Sequence, residues 1–417
     1  MPERTDNPEK RSIVEASEIA GRFAPWVLLC VGIVAAFGPG KLPPLLPTIQ
    51  TEFGLSLLAG GWLVAVFQVA AASLGVLGGA LADRFGARRV MQAGLCIGIV
   101  SAVLGAWAAH AGALFVSRIG ESLGFTLAAL PAAALYRRSV PPTRVTRWLG
   151  IWSTYMPAGM AIGLLVSPLI ATAAGWRMVW QVHALAMFAC LLALRSQVPG
   201  DRAGLSPVAR FVPLVRRTLR APGPWLLAAC FAVYAGQYLV IVSFLPSVYQ
   251  AAGIAMTEAG ALTALVAGIN VIGNISAGQI AHRGWPPGRV IAFAALVLLL
   301  GPPWVFAGEG SFAARYAVIC AVSMIAGLIP GTLFTLSPRF APGPDTVSTT
   351  VGLMQQGSGA GQVILPPIVA AVAMSAGGWQ LTGWATGVAA VLTIVCAWAI
   401  SAYDRHRRLA RNAPAAS

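Results

Sequence analysis

The sequence predicts an all-α membrane protein with twelve transmembrane helices in two pseudo-symmetric six-helix halves. Three observations carry this. Apolar residues make up 57% of the 417 and charged residues only 10%, with a mean hydropathy of +0.76, which leaves too little polar surface to cover a soluble globule. Twelve stretches reach the roughly 20 apolar residues that cross a hydrocarbon core. Finally, the chain repeats itself: at one offset of 199, Leu46-Pro47 falls on Leu245-Pro246, Gly54 on Gly253, Gly61 on Gly260, Gly79 on Gly278 and Ala82-Asp83-Arg84 on Ala281-His282-Arg283.

The first half, 23–194, holds six spans. Span 1, about 25–47, carries Lys41 between Gly38-Pro39-Gly40 and Pro43-Pro44. Span 2, 57–81, has Gln68 at mid-length, span 3 covers 91–109, and span 4, 112–136, contains Arg118 and Glu121 three residues apart. Spans 5 and 6, 148–173 and 177–194, complete the half, with His183 in span 6. The connection 195–223 is rich in Arg and Pro and is the domain boundary. The second half, 224–402, repeats the plan. Its span 7 (224–249) holds Tyr234, Gln237 and Tyr238, and span 8 (258–281) holds Asn270 and Asn274. Spans 9 and 10 are 289–307 and 316–337, span 11 (347–375) holds Gln362, and span 12 is 380–402. A second set of matches, Gly150, Gly159 and Gly175-Trp176 onto Gly352, Gly361 and Gly378-Trp379, extends the duplication at an offset of 202 to 203. The many Gly and Pro are tolerated because neighbouring helices approach closely and re-satisfy freed backbone groups.

Charge orients the chain. Of 28 Lys and Arg, 24 fall on the side that holds both termini, whereas Arg177 and Arg315 lie in opposite loops and Lys41 and Arg118 within spans. Basic residues stay cytoplasmic, so both tails, 1–22 and 403–417, are expected in the cytoplasm with the body in the inner (plasma) membrane. The net charge of +15 is thereby spent on lipid headgroups and not on nucleic acid, for which no basic cluster is interleaved with aromatics. The first 22 residues lack a compact apolar core and are read as a tail, not a cleaved signal. The six cysteines lie within spans without metal spacing and are read as packing residues. No Walker loop, metalloprotease helix or intramembrane protease pair is present, so neither an enzyme nor a cofactor is expected.

The run Gly79-Ala80-Leu81-Ala82-Asp83-Arg84-Phe85-Gly86-Ala87-Arg88-Arg89 resembles the signature loop of the major facilitator superfamily, with Ala87 where a basic residue is usual. Arg118-Ile119-Gly120-Glu121-Ser122 is similar to the family's helix 4 element, with Glu121 and Ser122 in place of Gln and Gly, and Gly175-Trp176-Arg177 matches its turn after helix 5. Within the family, FLPSVYQAAG, Asn270 with Asn274, and MQQGSGAGQ are similar to bacterial cyanate and nitroimidazole transporter relatives. The resemblance implies a monomeric secondary transporter that works by alternating access. It also implies a conformational latch of Gly79, Asp83, Arg84, Gly86 and Arg88, without an acidic counterpart at His282.

Charges placed in lipid-spanning segments are costly and mark candidate sites. Lys41 and Arg118, at similar depth, are read as the attractive wall of an anion site, with Glu121 as the proton-coupling group. The alternatives are a Lys41 that snorkels and an Arg118–Glu121 pair that only packs. Gln68, Tyr234, Gln237, Tyr238, Asn270 and Gln362 fall near mid-span and complete the candidate solute site. His183 is read as a packed histidine, with proton carriage as its alternative. The expected function is proton-coupled uptake of a small organic anion, the alternative being export of a small toxic compound against protons.

Overall fold

The computed structural model describes residues 23–75, 85–141, 144, 148, 151–152, 154–201, 211–307, 310–343 and 346–412. Gly79, Asp83 and Arg84 of the expected latch lie outside these. Among the described residues there is no strand, and twelve helices are long and apolar enough to cross a membrane. They are span 1 (Ala24–Phe53), 2 (Leu57–Gly75), 3 (Ala87–Ala106), 4 (Ala111–Tyr136), 5 (Tyr155–Ala174), 6 (Trp176–Gln197), 7 (Pro222–Ala251), 8 (Met256–Ala281), 9 (Pro287–Phe306), 10 (Phe312–Phe340), 11 (Thr349–Ser375) and 12 (Thr382–Arg407). The chain is a multi-pass membrane protein. With an even number of spans, the start of span 1, the inter-half connection and the end of span 12 share one side, the linker side; the other is the far side.

Span ends differ from expectation where apolarity and helicity part company. Span 1 passes the expected limit at 47 and stops at Phe53, because Gly54 takes a left-handed φ of 62° that closes the helix. Span 12 continues as a polar helix past 402, where hydropathy falls but Arg407 still donates to the Arg339 carbonyl at 2.6 Å. The connection contains an unexpected helix, Phe211–Arg220.

The duplication read from sequence is a duplication of contacts. Span 1 packs on 5 as span 7 packs on 11, and span 3 packs on 6 as span 9 packs on 12. Between halves, span 2 packs on 11 and span 8 on 5. Repeat-related glycines hold equivalent places. A Cβ on Gly61 would come within 2.8 Å of Ala370 Cβ and 3.1 Å of the Pro366 carbonyl oxygen, while one on Gly260 would meet the Leu164 oxygen at 2.5 Å and Pro168 Cγ at 2.6 Å. Leu164 and Pro168 are related to Pro366 and Ala370 by the second offset, 202. Gly159 faces the Ile33 carbonyl and Gly361 that of Ala232, again related positions. The positive-φ partner of Gly175 is Gly377 and not Gly378, so the offset is 202 there too and the Trp that follows is displaced by one residue.

Candidate functional site

Among the described residues, one hydrogen-bonded cluster of buried polar side chains in each half brings several of the candidate residues together. The first is organised by the break in span 1. Pro39, Pro43 and Pro44 have no N–H, so the α-helix gives way after Lys41 to a 3-10 turn, Pro43–Leu45, and resumes at Leu46. Lys41 sits at this break and is fully buried. Its Nζ donates to Glu121 Oε1 at 2.5 Å and to His183 Nδ1 at 3.1 Å, and lies 4.2 Å from the centroid of the Trp180 ring. Arg118, three residues before Glu121 on span 4, donates from Nη1 to Glu121 Oε2 at 2.7 Å and to the Gly38 carbonyl at 2.9 Å. Its guanidinium carbon lies 4.4 Å from the Phe67 ring centroid. His183 Nε2 is 2.9 Å from the Val34 carbonyl. Because a carbonyl only accepts, Nε2 carries the ring proton and Nδ1 is free to accept from Lys41.

Spans 1, 4 and 6 thus bring together two cations, one carboxylate and a neutral imidazole, a net charge of +1 with none of the four side chains more than 3% exposed. Such a charge cluster out of water holds only because each charge is paired and hydrogen-bonded. A cavity of about 10 Å³ beside it is lined by Glu121, His183, Phe125, Met187, Gly98 and Gly124 among others, room for a single water. Ser122, where the family usually has Gly, accepts from the Ala70 amide at 3.0 Å. That bond fixes span 4 against span 2 two residues past the 3-10 turn Val66–Gln68.

The second group lies in the other half. Tyr234 and Tyr238, one turn apart on span 7, stack with ring centroids 5.9 Å apart. Ser323 Oγ donates to the Val266 carbonyl at 2.6 Å, so the Tyr238 hydroxyl, 3.1 Å away, donates to Ser323. Asn270 Nδ2 donates to the Ser323 carbonyl at 2.7 Å, and Asn274 Nδ2 to Asn270 Oδ1 at 3.0 Å. Tyr234 lies beside the Asn270 side chain. Spans 7, 8 and 10 therefore share one network of hydroxyls and amides with no formal charge.

Three of the candidate residues stand apart from both groups. Gln237 turns to span 9 and donates to the Leu298 carbonyl at 3.2 Å. Gln362 donates to Ser358 on its own helix at 2.9 Å. Gln68 is buried in the 3-10 turn with its Nε2 unpartnered among the described residues. Trp180 and Ser323 are the members sequence reasoning left out, and His183, read from sequence as a packed histidine, joins the charge cluster through Lys41. For His183 a signal was present: Val179, Trp180, His183, Met187, Cys190 and Leu194 repeat at helical spacing and form the buried face of span 6.

Gly86 and Arg88, the described residues of the expected latch, lie at the start of span 3 beside the first residues of the inter-half connection. Gly86 adopts φ 94° at the start of span 3, and the Arg88 and Arg89 amides donate to Asp201 at 3.2 and 3.0 Å. Arg88 also donates from its guanidinium to the Arg195 carbonyl at 2.6 Å. Arg195 lies in the last turn of span 6 and Asp201 follows it, so the start of span 3 is tied to the start of the inter-half connection.

Comparison with known proteins agrees with this architecture. The family model for the Major Facilitator Superfamily matches residues 28–355. Among solved structures, a bacterial homologue of the human lysosomal transporter Spinster, inward-facing and unoccupied, superposes with a TM-score of 0.74 at 16% identity, covering 92% of this chain and 96% of that one. A D-xylose–proton symporter gives 0.71 at 18% identity, covering 90% and 96%. No curated protein matches the sequence significantly. With the twelve spans, the doubled contacts and the family match over most of its length, this chain belongs to the major facilitator superfamily and is a transporter, not an enzyme.

Proposed function

We propose that this protein is a proton-coupled secondary transporter of a small organic solute, working by alternating access in the inner membrane with both termini cytoplasmic. The observation that carries the reading is the buried Lys41–Glu121–Arg118–His183 cluster, which has one positive charge more than it can neutralise. Adding a proton to Glu121 would leave two buried cations without a counter-ion, whereas removing one from the Lys41–Glu121 pair leaves Arg118–Glu121 as a neutral i, i+3 pair. Coupling accordingly runs through the Lys41–Glu121 pair, with His183 Nδ1 as the adjoining acceptor. An organic anion is the preferred solute, since it would compensate the excess charge. The Tyr234–Tyr238–Asn270–Ser323 network supplies hydrogen bonds of the kind that orient a small solute, and a structural neighbour is a D-xylose–proton symporter. The branch similar to cyanate and nitroimidazole transporters fits small, compact solutes.

The test uses the full chain in proteoliposomes loaded with a pH-sensitive dye and exposed to a panel of small carboxylates and sugars. Solute-dependent proton entry in the wild type, abolished in Lys41→Gln while the protein remains folded, is the expected result. A second reading, export of a neutral or cationic compound, is favoured by one observation: both cations are already engaged by Glu121. Normal solute movement in Lys41→Gln, or proton movement opposite to solute, would put that reading first.

A further inference from the structure

The connecting helix, Phe211–Arg220, has a composition unlike any span. At 100° per residue its apolar residues, Val212, Leu214, Val215 and Leu219, fall on one arc, and its three arginines, Arg216, Arg217 and Arg220, on the opposite one. In a water-soluble setting the apolar arc would be buried on protein. Here Val212 is 63% and Leu219 41% exposed, as is half of Trp225 in the first turn of span 7. The helix is nevertheless held firmly. Trp225 Nε1 donates to the Leu219 carbonyl at 2.8 Å, Arg217 donates to the Pro342 carbonyl at 3.0 Å, and Thr218 is fully buried. Along the arginine arc, with Val212 of the apolar arc at its edge, runs an open groove of about 440 Å³, lined by Val212, Pro213, Arg216, Arg217, Arg220 and Ala221. No Asp or Glu occurs in the chain between Asp201 and Glu258, so the segment brings no counter-charge of its own.

We propose that this groove binds the headgroup phosphate of an anionic phospholipid from the leaflet on the linker side. Arg216 and Arg220, both exposed, contact the phosphate oxygens, for which a guanidinium fork is well shaped. Val212, Leu219 and Trp225 reach the glycerol and upper acyl region, where an apolar helix face and an indole settle. The helix ends two residues before the start of span 7, so it lies at the depth of the headgroups. A soluble phosphate would satisfy the arginines but leave the apolar residues in water, which is why a lipid is the occupant. The bound lipid would pin the connection between the halves to the membrane surface, leaving the spans to move about it.

The experiment reconstitutes the full chain in vesicles of phosphatidylcholine with a minor fraction of phosphatidylglycerol, extracts it gently and measures retained lipid by native mass spectrometry. The wild type should retain phosphatidylglycerol in preference to phosphatidylcholine. Each arginine near an anionic surface is worth a factor of about five, so Arg216→Gln with Arg220→Gln should weaken the preference by about 25-fold, and Arg216→Lys with Arg220→Lys should keep most of it. Arg217 is left intact because it ties the helix to Pro342. Equal retention of the two lipids by the wild type would overturn the proposal, and that measurement needs no variant to fold. Equal preference in wild type and the double Gln variant, or loss of the lipid to millimolar inorganic phosphate, would do so as well.

Discussion

At the scale of single residues, Glu121 holds two cations at once, Lys41 at 2.5 Å and Arg118 at 2.7 Å. Its loss therefore leaves two unpaired charges out of reach of bulk water. Glu121→Gln should lower stability by about 3–5 kcal/mol, the usual cost of stranding a buried charge, and pairing it with Lys41→Met should recover much of that loss. A thermal unfolding series on the two single variants and the double variant in detergent checks this; purely additive losses would mean the residues do not interact. His183→Ala removes a neutral acceptor, the Nε2–H bond to the Val34 carbonyl and a ring 5.1 Å from Phe37, but no charge, so it should fold and instead slow proton-coupled solute movement. The sequence marked Lys41, Arg118 and Glu121 as candidates because charge is rare in a span. It could not pair Lys41 with Glu121, 80 residues away, since a single sequence carries no distance between spans.

At two of the repeat-related pairs, Gly61 with Gly260 and Gly159 with Gly361, helices meet through glycine. Gly61 and Gly260 occupy equivalent crossings of spans 2 on 11 and 8 on 5, where a backbone carbonyl or proline ring leaves no room for a side chain. Gly260→Val should force spans 8 and 5 apart. It should reduce transport severely with little effect on insertion, measurable as increased thiol accessibility of a cysteine introduced at Leu164. Gly268, with open space where its Cβ would be, is the control: Gly268→Ala should be tolerated and even gain several tenths of a kcal/mol from helix propensity. Helix existence was legible in sequence because apolarity alone defines a span. Helix ends were not, because they depend on single backbone choices such as Gly54 and on polar continuations such as the one that carries span 12 to Arg407.

The whole molecule is two halves joined at the linker side and touching again at the far side. There Gln250 Nε2 donates to the Pro44 carbonyl at 3.0 Å, from span 7 to the proline break of span 1. Gln250→Ala should weaken this closure and raise far-side access to thiol reagents several-fold without altering expression. Orientation is tested separately in whole cells, using a membrane-impermeant thiol reagent on variants free of native cysteine. A cysteine at Glu258 should react and one at Arg283 should not. Reaction at position 283 alone would invert the orientation inferred from the arginine distribution.

Taken by itself, the sequence determined the solvent, the number of spans, the duplication and the family, because each depends on composition or on local pattern repeated along the chain. Tertiary structure decided how the polar residues are used. It gathered Lys41, Glu121, Arg118 and His183 into one cluster and turned Gln237 and Gln362 to local partners instead. The physical reason is that a buried charge takes whichever counter-charge packing brings within reach. Packing between spans 1, 4 and 6 is a property of the folded chain, not of any one segment.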